Sequence, residues 1–298
     1  MKQEAPFCIQ IELTQGCNLR CKFCGVTYAY KNDPKPKFMT LETAHKVADR
    51  IAESGWNPRL EFAMHGEPLL NPQWDSIIRI IRDENPKLSI LLLTNGVIVS
   101  RDGVNSIADR FFAAGGNTLG IELYRDYPYA DKIINEINDE LMDVFSYPHC
   151  IKANPHQRYH GKRIILIEDI QLNTEGNHAH ISNHGGLSAP MDYSTETRRC
   201  YKVFKEMGIC HDGMVNICCT DFMRKTNCGN IHDMTLEDIW NCELWWAYRR
   251  MLYHKGHECG ICRGCDYVGS PCGLKFDGMR SAGEYTEADK QLITEGTL

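Results

Sequence analysis

The stretch Cys17-Asn-Leu-Arg-Cys21-Lys-Phe-Cys24 spaces three cysteines with three and then two residues between them. Cysteines at this spacing can surround one cuboidal four-iron, four-sulfur cluster and supply three of its four iron ligands. The fourth iron is then open to a small molecule, as a catalytic metal site keeps one position vacant. A zinc knuckle is the alternative, but zinc sites usually pair two halves of two ligands each, so the triplet favours the cluster.

Composition limits the classes of function. The 298 residues can form one large domain, or a large and a small one. A formal net charge of −6 without a basic stripe disfavours nucleic acid as the principal substrate, although a single tRNA nucleotide stays open. The amino terminus has no apolar run typical of a signal peptide, and the longest apolar stretch, 88–93, is too short to span a bilayer. We therefore expect a cytoplasmic protein without a membrane partner.

The cysteines fall into two groups. Four lie between Cys8 and Cys24 and ten between Cys200 and Cys272, with Cys150 between the groups. In a reducing compartment, such dense cysteine usage indicates metal binding rather than disulfides.

Hydrophobic periodicity predicts strands that alternate with helices in the amino-terminal part. The predicted strands are 7–14, 59–64, 88–93, 117–123 and 163–169. The predicted helices are 40–54, with Thr40 as N-cap, 71–84, with Asn71 as N-cap, 100–114 and 126–145. Such alternation predicts an α/β fold with right-handed crossovers, a parallel sheet and ligands at the carboxyl ends of its strands. Residues 147–160 and 176–190 are expected to be loop and linker, and the histidines of the linker are more typical of a solvated loop than of a metal site.

Two polar motifs end the second and third predicted strands. These are His65-Gly66-Glu67-Pro68 and Thr94-Asn95-Gly96. Glycine lets backbone approach a ligand closely, and proline stiffens a turn that presents the preceding polar groups.

The cysteine triplet followed by these two motifs resembles the radical S-adenosylmethionine (SAM) superfamily. The resemblance implies a partial (β/α)6 barrel of the TIM type, and reductive cleavage of SAM to a 5'-deoxyadenosyl radical that abstracts a substrate hydrogen. It also implies a flavodoxin or ferredoxin as reductant. The residues implied in SAM binding are Phe23, Gly66, Glu67, Pro68, Thr94 and Asn95. His65 stands where the superfamily usually has glycine.

The second cysteine group contains a hairpin signal. Twelve residues separate Cys200 from Gly213, and four separate Gly213 from Cys218. His211-Asp212-Gly213 predicts a turn between strands at 207–210 and 214–218, and a helix capped by Thr235 leads towards the distal cysteines.

This arrangement resembles the SPASM/twitch extension of radical SAM enzymes. It implies domains at 1–190 (barrel) and 191–298 (auxiliary domain and tail), and one auxiliary 4Fe-4S cluster besides the SAM-binding one. The implied auxiliary ligands are Cys200, Cys218, Cys262 and Cys265. Cys259 and Cys272 compete for the distal pair, and a structural zinc ribbon is the alternative.

Over most of its length the chain resembles the 2-deoxy-scyllo-inosamine dehydrogenase family. The shared stretches are 66–70, 94–96, 182–186, 221–222, 229–231 and 238–240. The arginine and glutamate with which that family contacts its aminocyclitol are His184 and Thr220 here, which predicts a different small polar substrate.

The resemblance favours oxidation of a carbinol to a ketone, with the auxiliary cluster as electron acceptor. His65 and His184 are candidate substrate contacts or proton acceptors. Cys219 replaces an aromatic residue of that family. Three alternative roles are open for it: a small core residue, an alternative cluster ligand or a hydrogen-atom donor. The last role would make the protein a redox-neutral epimerase, and a ribosomal-peptide maturase with a peptide substrate is a further alternative.

Overall fold

The computed structural model describes residues 4–123, 129–137, 142–146, 162–168, 185–188, 199–267 and 283–295. The strands within these residues are β1 (Cys8–Ile11), β2 (Thr14–Gln15), β3 (Lys37–Phe38), β4 (Arg59–Phe62), β5 (Ser89–Thr94), β6 (Thr118–Leu123), β7 (Met142–Ser146), β8 (Arg163–Glu168), β9 (Glu206–Ile209) and β10 (Val215–Asn216). The helices are α1 (Gly25–Ala29), α2 (Leu41–Ser54), α3 (Trp74–Glu84), α4 (Val97–Asp102), α5 (Val104–Ala113), α6 (Tyr129–Glu136), α7 (Leu236–Trp240), α8 (Glu243–His254) and α9 (Glu287–Glu295).

An eight-stranded sheet forms the centre of the molecule, in the order β10-β9-β1-β4-β5-β6-β8-β7. All neighbouring strands are parallel except the hairpin pair of β9 and β10. Five of the parallel strands, β1, β4, β5, β6 and β8, are those predicted for the barrel, and β7, which was not predicted as a strand, lies at the outer edge beyond β8. Because β9 pairs with β1, the carboxyl-terminal hairpin extends the same sheet. The predicted domain boundary at 190 lies outside the described residues.

Helix α2 shows how the sequence sets the elements around the sheet. Its N-cap Thr40 accepts a hydrogen bond from the Thr43 amide at 3.1 Å, and Gly55 ends it in the left-handed conformation with φ of +66°. Between these ends, Ala44, Val47 and Ile51 are fully buried. The predicted helix over 40–54 is therefore confirmed.

Four helix predictions need correction. The expected helix 100–114 is two helices, because Gly103 with φ of +90° separates α4 from α5. The expected helix 126–145 is wrong after residue 136, where α6 ends and β7 follows. The helix capped by Thr235 ends at Trp240, and α8 begins only after Asn241 and Cys242.

The helix predicted from Asn71 begins at Trp74 instead. Asn71 is buried, and its Nδ2 donates to the carbonyl oxygens of Leu13 and Met39, each at 3.0 Å. The side chain thus joins the residues between β1 and β2 to the segment before α2. The predicted loop at 147–160 lies outside the described residues.

Helix α8 holds the turn that follows Cys200. The indole nitrogen of Trp245 and Nε of Arg249 both donate to the Val203 carbonyl, at 2.8 and 3.0 Å. The buried Arg249 guanidinium also lies 4.3 Å from the ring centroid of Trp240. Among the described helices, none combines the length and the apolar character that crossing a bilayer requires.

Candidate active site

The cysteine triplet lies on the loop between β2 and α1. The Sγ atom of Cys17 accepts hydrogen bonds from the Leu19 amide and from Nδ2 of Asn95, each at 3.4 Å. Burial raises the pKa of the Cys17 and Cys21 thiols to about 12, and burial also raises the pKa of Cys24. N–H groups aimed at a cluster sulfur ligand are typical of iron–sulfur sites, and ligation removes the thiol protons, so the loop fits a cluster held by three cysteines.

Gly66 brings the first predicted SAM motif into contact with this loop. The Gly16 amide donates to the His65 carbonyl at 2.9 Å, and the Glu67 amide donates to the Gly16 carbonyl at 3.0 Å. A Cβ atom on Gly66 would lie 2.1 Å from the Gly16 oxygen and 2.4 Å from the Thr14 oxygen. Glycine was expected here for the close approach of a ligand, and the structure shows that the close approach is by another backbone segment.

Glu67 ties the ends of β4 and β5 together. Its carboxylate accepts from the Leu69 amide at 3.0 Å, from the Thr94 hydroxyl at 2.8 Å and from the Asn95 amide at 2.8 Å. Burial raises the pKa of Glu67 to about 7, although these hydrogen bonds oppose the rise. The side chain therefore aligns the two strand ends that carry the predicted SAM contacts.

The other predicted SAM contacts surround these strand ends. Pro68 is buried and begins a 3₁₀ turn, and Phe23 is half-buried on the cysteine loop. Asn95 donates from Nδ2 to Oδ1 of Asn18 at 2.8 Å, and its carbonyl accepts from the Tyr129 hydroxyl at 2.7 Å. The strand ends and the cysteine loop thus form one hydrogen-bonded unit.

A second cysteine site is formed by the carboxyl-terminal part of the chain. A cavity of about 340 Å³, counting space open to solvent, is lined by the four predicted auxiliary ligands, Cys200, Cys218, Cys262 and Cys265. The structure therefore brings together cysteines that are up to sixty-five positions apart in the sequence. Four thiols around one cavity fit a fully cysteine-ligated iron–sulfur cluster, or a tetrahedral zinc.

Of the two competing cysteines, Cys259 is not among the described residues that line this cavity. Cys259 is half-buried, and its Sγ lies 3.4 Å from both Sδ of Met251 and the hydroxyl oxygen of Tyr285. Cys272 lies outside the described residues. Cys219 directly follows Cys218, and the hydrogen bond between their thiols, together with burial, raises the pKa of Cys219.

Sequence reasoning missed the polar groups of the cavity wall. Lys202 is buried, forms an ion pair with Glu206, and has its Nζ 4.9 Å from the ring centroid of Tyr267. His257 is also buried, and its Nδ1 lies 2.6 Å from the Cys265 carbonyl oxygen. Their only sequence signal is proximity to the cysteines, which does not say which side chains face inward.

His65 links the two cysteine sites. It has no exposed surface, its Nδ1 lies 2.8 Å from Oε1 of Glu12, and its Nε2 lies 2.9 Å from the Cys219 carbonyl oxygen. Both ring nitrogens are therefore occupied, and this arrangement leaves neither for the expected contact with a substrate. His184, the other predicted histidine, lies outside the described residues.

Comparison with known proteins agrees with this geometry. Residues 11–145 match the Radical SAM superfamily, and residues 200–266 match an iron-sulfur cluster-binding domain, SPASM. The chain is a radical SAM enzyme. Its amino-terminal domain binds a 4Fe-4S cluster and SAM, and its carboxyl-terminal domain is of a kind that holds auxiliary iron–sulfur clusters.

Relatives of this radical SAM enzyme confirm the expected family and fold class. It is 19% identical over 274 residues to the S-adenosyl-L-methionine-dependent 2-deoxy-scyllo-inosamine dehydrogenase of Niallia circulans, covering 90% of this chain and 96% of the relative. The crystal structure of BtrN in complex with AdoMet and 2-DOIA superposes with a TM-score of 0.68 at 17% identity, covering 89% of this chain and 95% of that one. A GTP 3',8-cyclase of Campylobacter curvus is 33% identical over 94 residues, which are 30% of this chain and 28% of that protein.

Proposed function

We propose that this radical SAM enzyme oxidises a carbinol of a small polar substrate, such as a sugar or an aminocyclitol, to a ketone. Abstraction of the carbinol C–H hydrogen would leave a substrate radical. This radical would lose its hydroxyl proton to solvent and one electron to an auxiliary 4Fe-4S cluster ligated by Cys200, Cys218, Cys262 and Cys265. The observation that supports this proposal is that these four cysteines line one cavity. Because four thiolates occupy all four irons, such a cluster takes up an electron rather than binding SAM or substrate.

The residues around the first cluster would bind and orient SAM. Cys17, Cys21 and Cys24 would ligate three irons, and SAM bound at the fourth supplies the radical that abstracts the substrate hydrogen. Glu67 would hold the ends of β4 and β5 in place for it, because its carboxylate bonds both Thr94 and the Asn95 amide. By resemblance to the superfamily, the further SAM contacts are Phe23, Gly66 and Pro68.

The substrate would differ from 2-deoxy-scyllo-inosamine, which the relative of Niallia circulans oxidises according to its name. Where the resemblance places that family's glutamate, this chain has Thr220, whose hydroxyl oxygen lies 3.1 Å from Sγ of Cys218. A hydroxyl that faces a cysteine ligand does not replace a carboxylate aimed at a substrate amine. We propose a flavodoxin or ferredoxin as the reductant, and the reducing cytoplasm as the compartment.

Iron and sulfide content tests the proposal. After anaerobic reconstitution, the intact protein should hold about two 4Fe-4S clusters, and a Cys17→Ala, Cys21→Ala, Cys24→Ala variant about one. The matched control, Cys262→Ala with Cys265→Ala, should keep only the SAM-binding cluster. If the triple variant holds no iron, the carboxyl-terminal cysteines bind zinc or nothing, and the electron-acceptor role fails.

A redox-neutral epimerase is the second candidate, because Cys219 places a thiol directly after the proposed cluster ligand Cys218. That thiol could return a hydrogen atom to the substrate radical, and the thiyl radical left on Cys219 would take one electron from the auxiliary cluster and a proton from solvent. Product formed in deuterium oxide would then carry carbon-bound deuterium, and a Cys219→Ala variant would abolish this incorporation. A ketone without deuterium uptake would instead support oxidation. The peptide-maturase alternative stays a prediction, since no contact among the described residues favours it.

A further inference from the structure

The contact of His65 with the Cys219 carbonyl requires a proton on Nε2, and the ionisation of Glu12 determines whether Nδ1 also carries one. Nδ1 faces Oε1 of Glu12 and Nε2 faces the Cys219 carbonyl oxygen, which can only accept a hydrogen bond. The other Glu12 oxygen accepts from both the amide and Nδ1 of His211, at 2.9 and 2.8 Å. The hydrogen bonds from His211 stabilise the ionised form of Glu12. Ionised Glu12 in turn requires a proton on Nδ1 of His65, so the two residues form a buried carboxylate–imidazolium ion pair.

The pKa values of this pair agree with its geometry. Burial opposes ionisation of Glu12, but the hydrogen bonds from His211 and His65 outweigh it and hold the pKa of Glu12 below its usual range. Burial likewise lowers the pKa of His65, but the hydrogen bond and charge of Glu12 outweigh it, and the net pKa is raised.

The peptide group that His65 contacts also reaches the proposed auxiliary cluster. The Cys219 carbonyl and the Thr220 amide belong to one peptide unit, and the Thr220 N–H donates to Sγ of Cys218 at 3.5 Å. The chain of contacts therefore begins at Nε2–H of His65, which donates to the Cys219 carbonyl. It continues through the Cys219–Thr220 peptide to the Thr220 N–H, which donates to Sγ of Cys218. Hydrogen bonds in series polarise one another, so a cation at the carbonyl end strengthens the bond to sulfur.

We infer that His65 is a positioning residue that raises the reduction potential of the auxiliary cluster by polarising the Cys219–Thr220 peptide. The inference rests on the proposed function, in which Cys218 ligates that cluster. Hydrogen bonds to cluster sulfurs are one of the factors that set iron–sulfur potentials, because they stabilise the more negative, reduced state. A higher potential favours the uptake of the electron that substrate oxidation releases.

Two isosteric variants separate the contacts of His65. In His65→Gln, the side-chain amide reaches the position of Nε2 and keeps a neutral donor for the Cys219 carbonyl. In His65→Asn, the shorter amide reaches only the position of Nδ1, so the bond to Glu12 is kept and the bond to the carbonyl is lost. Any general effect of replacing a buried imidazole is shared by the two variants.

The measurement is a redox titration followed by electron paramagnetic resonance. It uses the full-length Cys17→Ala, Cys21→Ala, Cys24→Ala protein, so that only the auxiliary cluster contributes. We expect the reduction potential of the auxiliary cluster to be highest with His65, lower in the His65→Gln variant and lowest in the His65→Asn variant. Loss of a charge-assisted hydrogen bond should make cluster reduction in the Asn variant about tenfold less favourable, which is about 59 mV for one electron.

Further variants and outcomes decide the inference. Thr220→Val removes the hydroxyl contact with Cys218 but keeps the amide, so the shift caused by His65→Asn should persist in that background. Equal potentials in all three forms, or an Asn form at or above the Gln form, would overturn the role of His65. Loss of the cluster from both variants would also overturn it, since His65 would then serve assembly rather than potential. If the background protein itself holds no cluster, the proposed function has failed.

Discussion

Replacing Gly66 by alanine should separate the SAM motif from the cysteine loop. The new Cβ would lie 2.1 Å from the Gly16 carbonyl oxygen and 2.4 Å from that of Thr14, whereas ordinary contacts begin at 3.4 Å. Both obstacles are backbone atoms, so the two segments must move apart by more than an ångström.

This movement would break the two hydrogen bonds that join the segments. They are the bond from the Gly16 amide to the His65 carbonyl and the bond from the Glu67 amide to the Gly16 carbonyl. Each buried group left without a partner costs about 1–3 kcal/mol, and partial relaxation recovers some of this. We therefore expect Gly66→Ala to lower the free energy of unfolding by about 3 kcal/mol.

Gly208→Ala is the matched control. Its Cβ would lie 2.9 Å from Cε of Met64, the flexible end of a side chain, and 3.7 Å from the nearest backbone oxygen. Rotation of Met64 relieves that contact, so the cost should be about 1 kcal/mol or less.

Urea unfolding of the cluster-free proteins, followed by circular dichroism, measures both changes. Reconstitution and binding of SAM then show whether the site survives. Gly66→Ala should bind less SAM than Gly208→Ala, because its motif no longer pairs with the cluster loop. If the two variants unfold at the same urea concentration, the close pairing of Gly66 with Gly16 is not the reason for glycine at this position.

Two further substitutions test the ligand set and a perturbed carboxyl group. Cys262→Ser should lose the auxiliary cluster iron and Cys259→Ser should retain it, since the Cys259 sulfur contacts Met251 and Tyr285; equal iron losses would contradict the ligand set. Folding raises the pKa of Glu67 from 4.5 to about 7, so protonated Glu67 stabilises the folded state of wild type. This contribution to the free energy of unfolding is complete below about pH 4.5, and about 3 kcal/mol is lost as the pH rises through 7. Glutamine does not titrate, so the Glu67→Gln variant does not lose this contribution. The unfolding free energy of the cluster-free variant minus that of cluster-free wild type should therefore increase by about 3 kcal/mol between about pH 4.5 and pH 8. A difference that does not change with pH would contradict the raised pKa of Glu67.

The arrangement of the strand ends followed from local patterns in the sequence. Alternating apolar residues predicted β1, β4, β5, β6 and β8, and helices between parallel strands place their carboxyl ends at one edge. The resemblance to the SPASM/twitch extension separately pointed to four cysteines that share a cavity. Such inferences succeed because periodicity and spacing are properties of short segments.

The prediction failed where tertiary contacts override local preference. Residues 138–141 contain neither glycine nor proline to end the predicted helix, yet β7 follows them and pairs with β8. Asn71 and Pro72 have the local chemistry of a helix start, but the amide of Asn71 serves two carbonyl groups from earlier segments. Neither competing contact can be read from the residues around it.

The contacts of His65 show both what the sequence could predict and what it could not. The residue was recognisable as a departure from the usual glycine, but its partners Glu12 and Cys219 lie 53 and 154 positions away. In the parallel pairing of β1 with β9, Ile11 lies opposite Ile209. Glu12 follows β1 and His211 follows β9, so the two residues lie beside each other at the same end of the strands. A fully buried carboxylate needs donors, and His211 alone serves only one of its oxygens. The second oxygen requires a donor from the end of β4, which glycine could not supply. Histidine at position 65 therefore belongs with glutamate at position 12 as one buried unit, and replacing either alone would leave a buried charge without its partner.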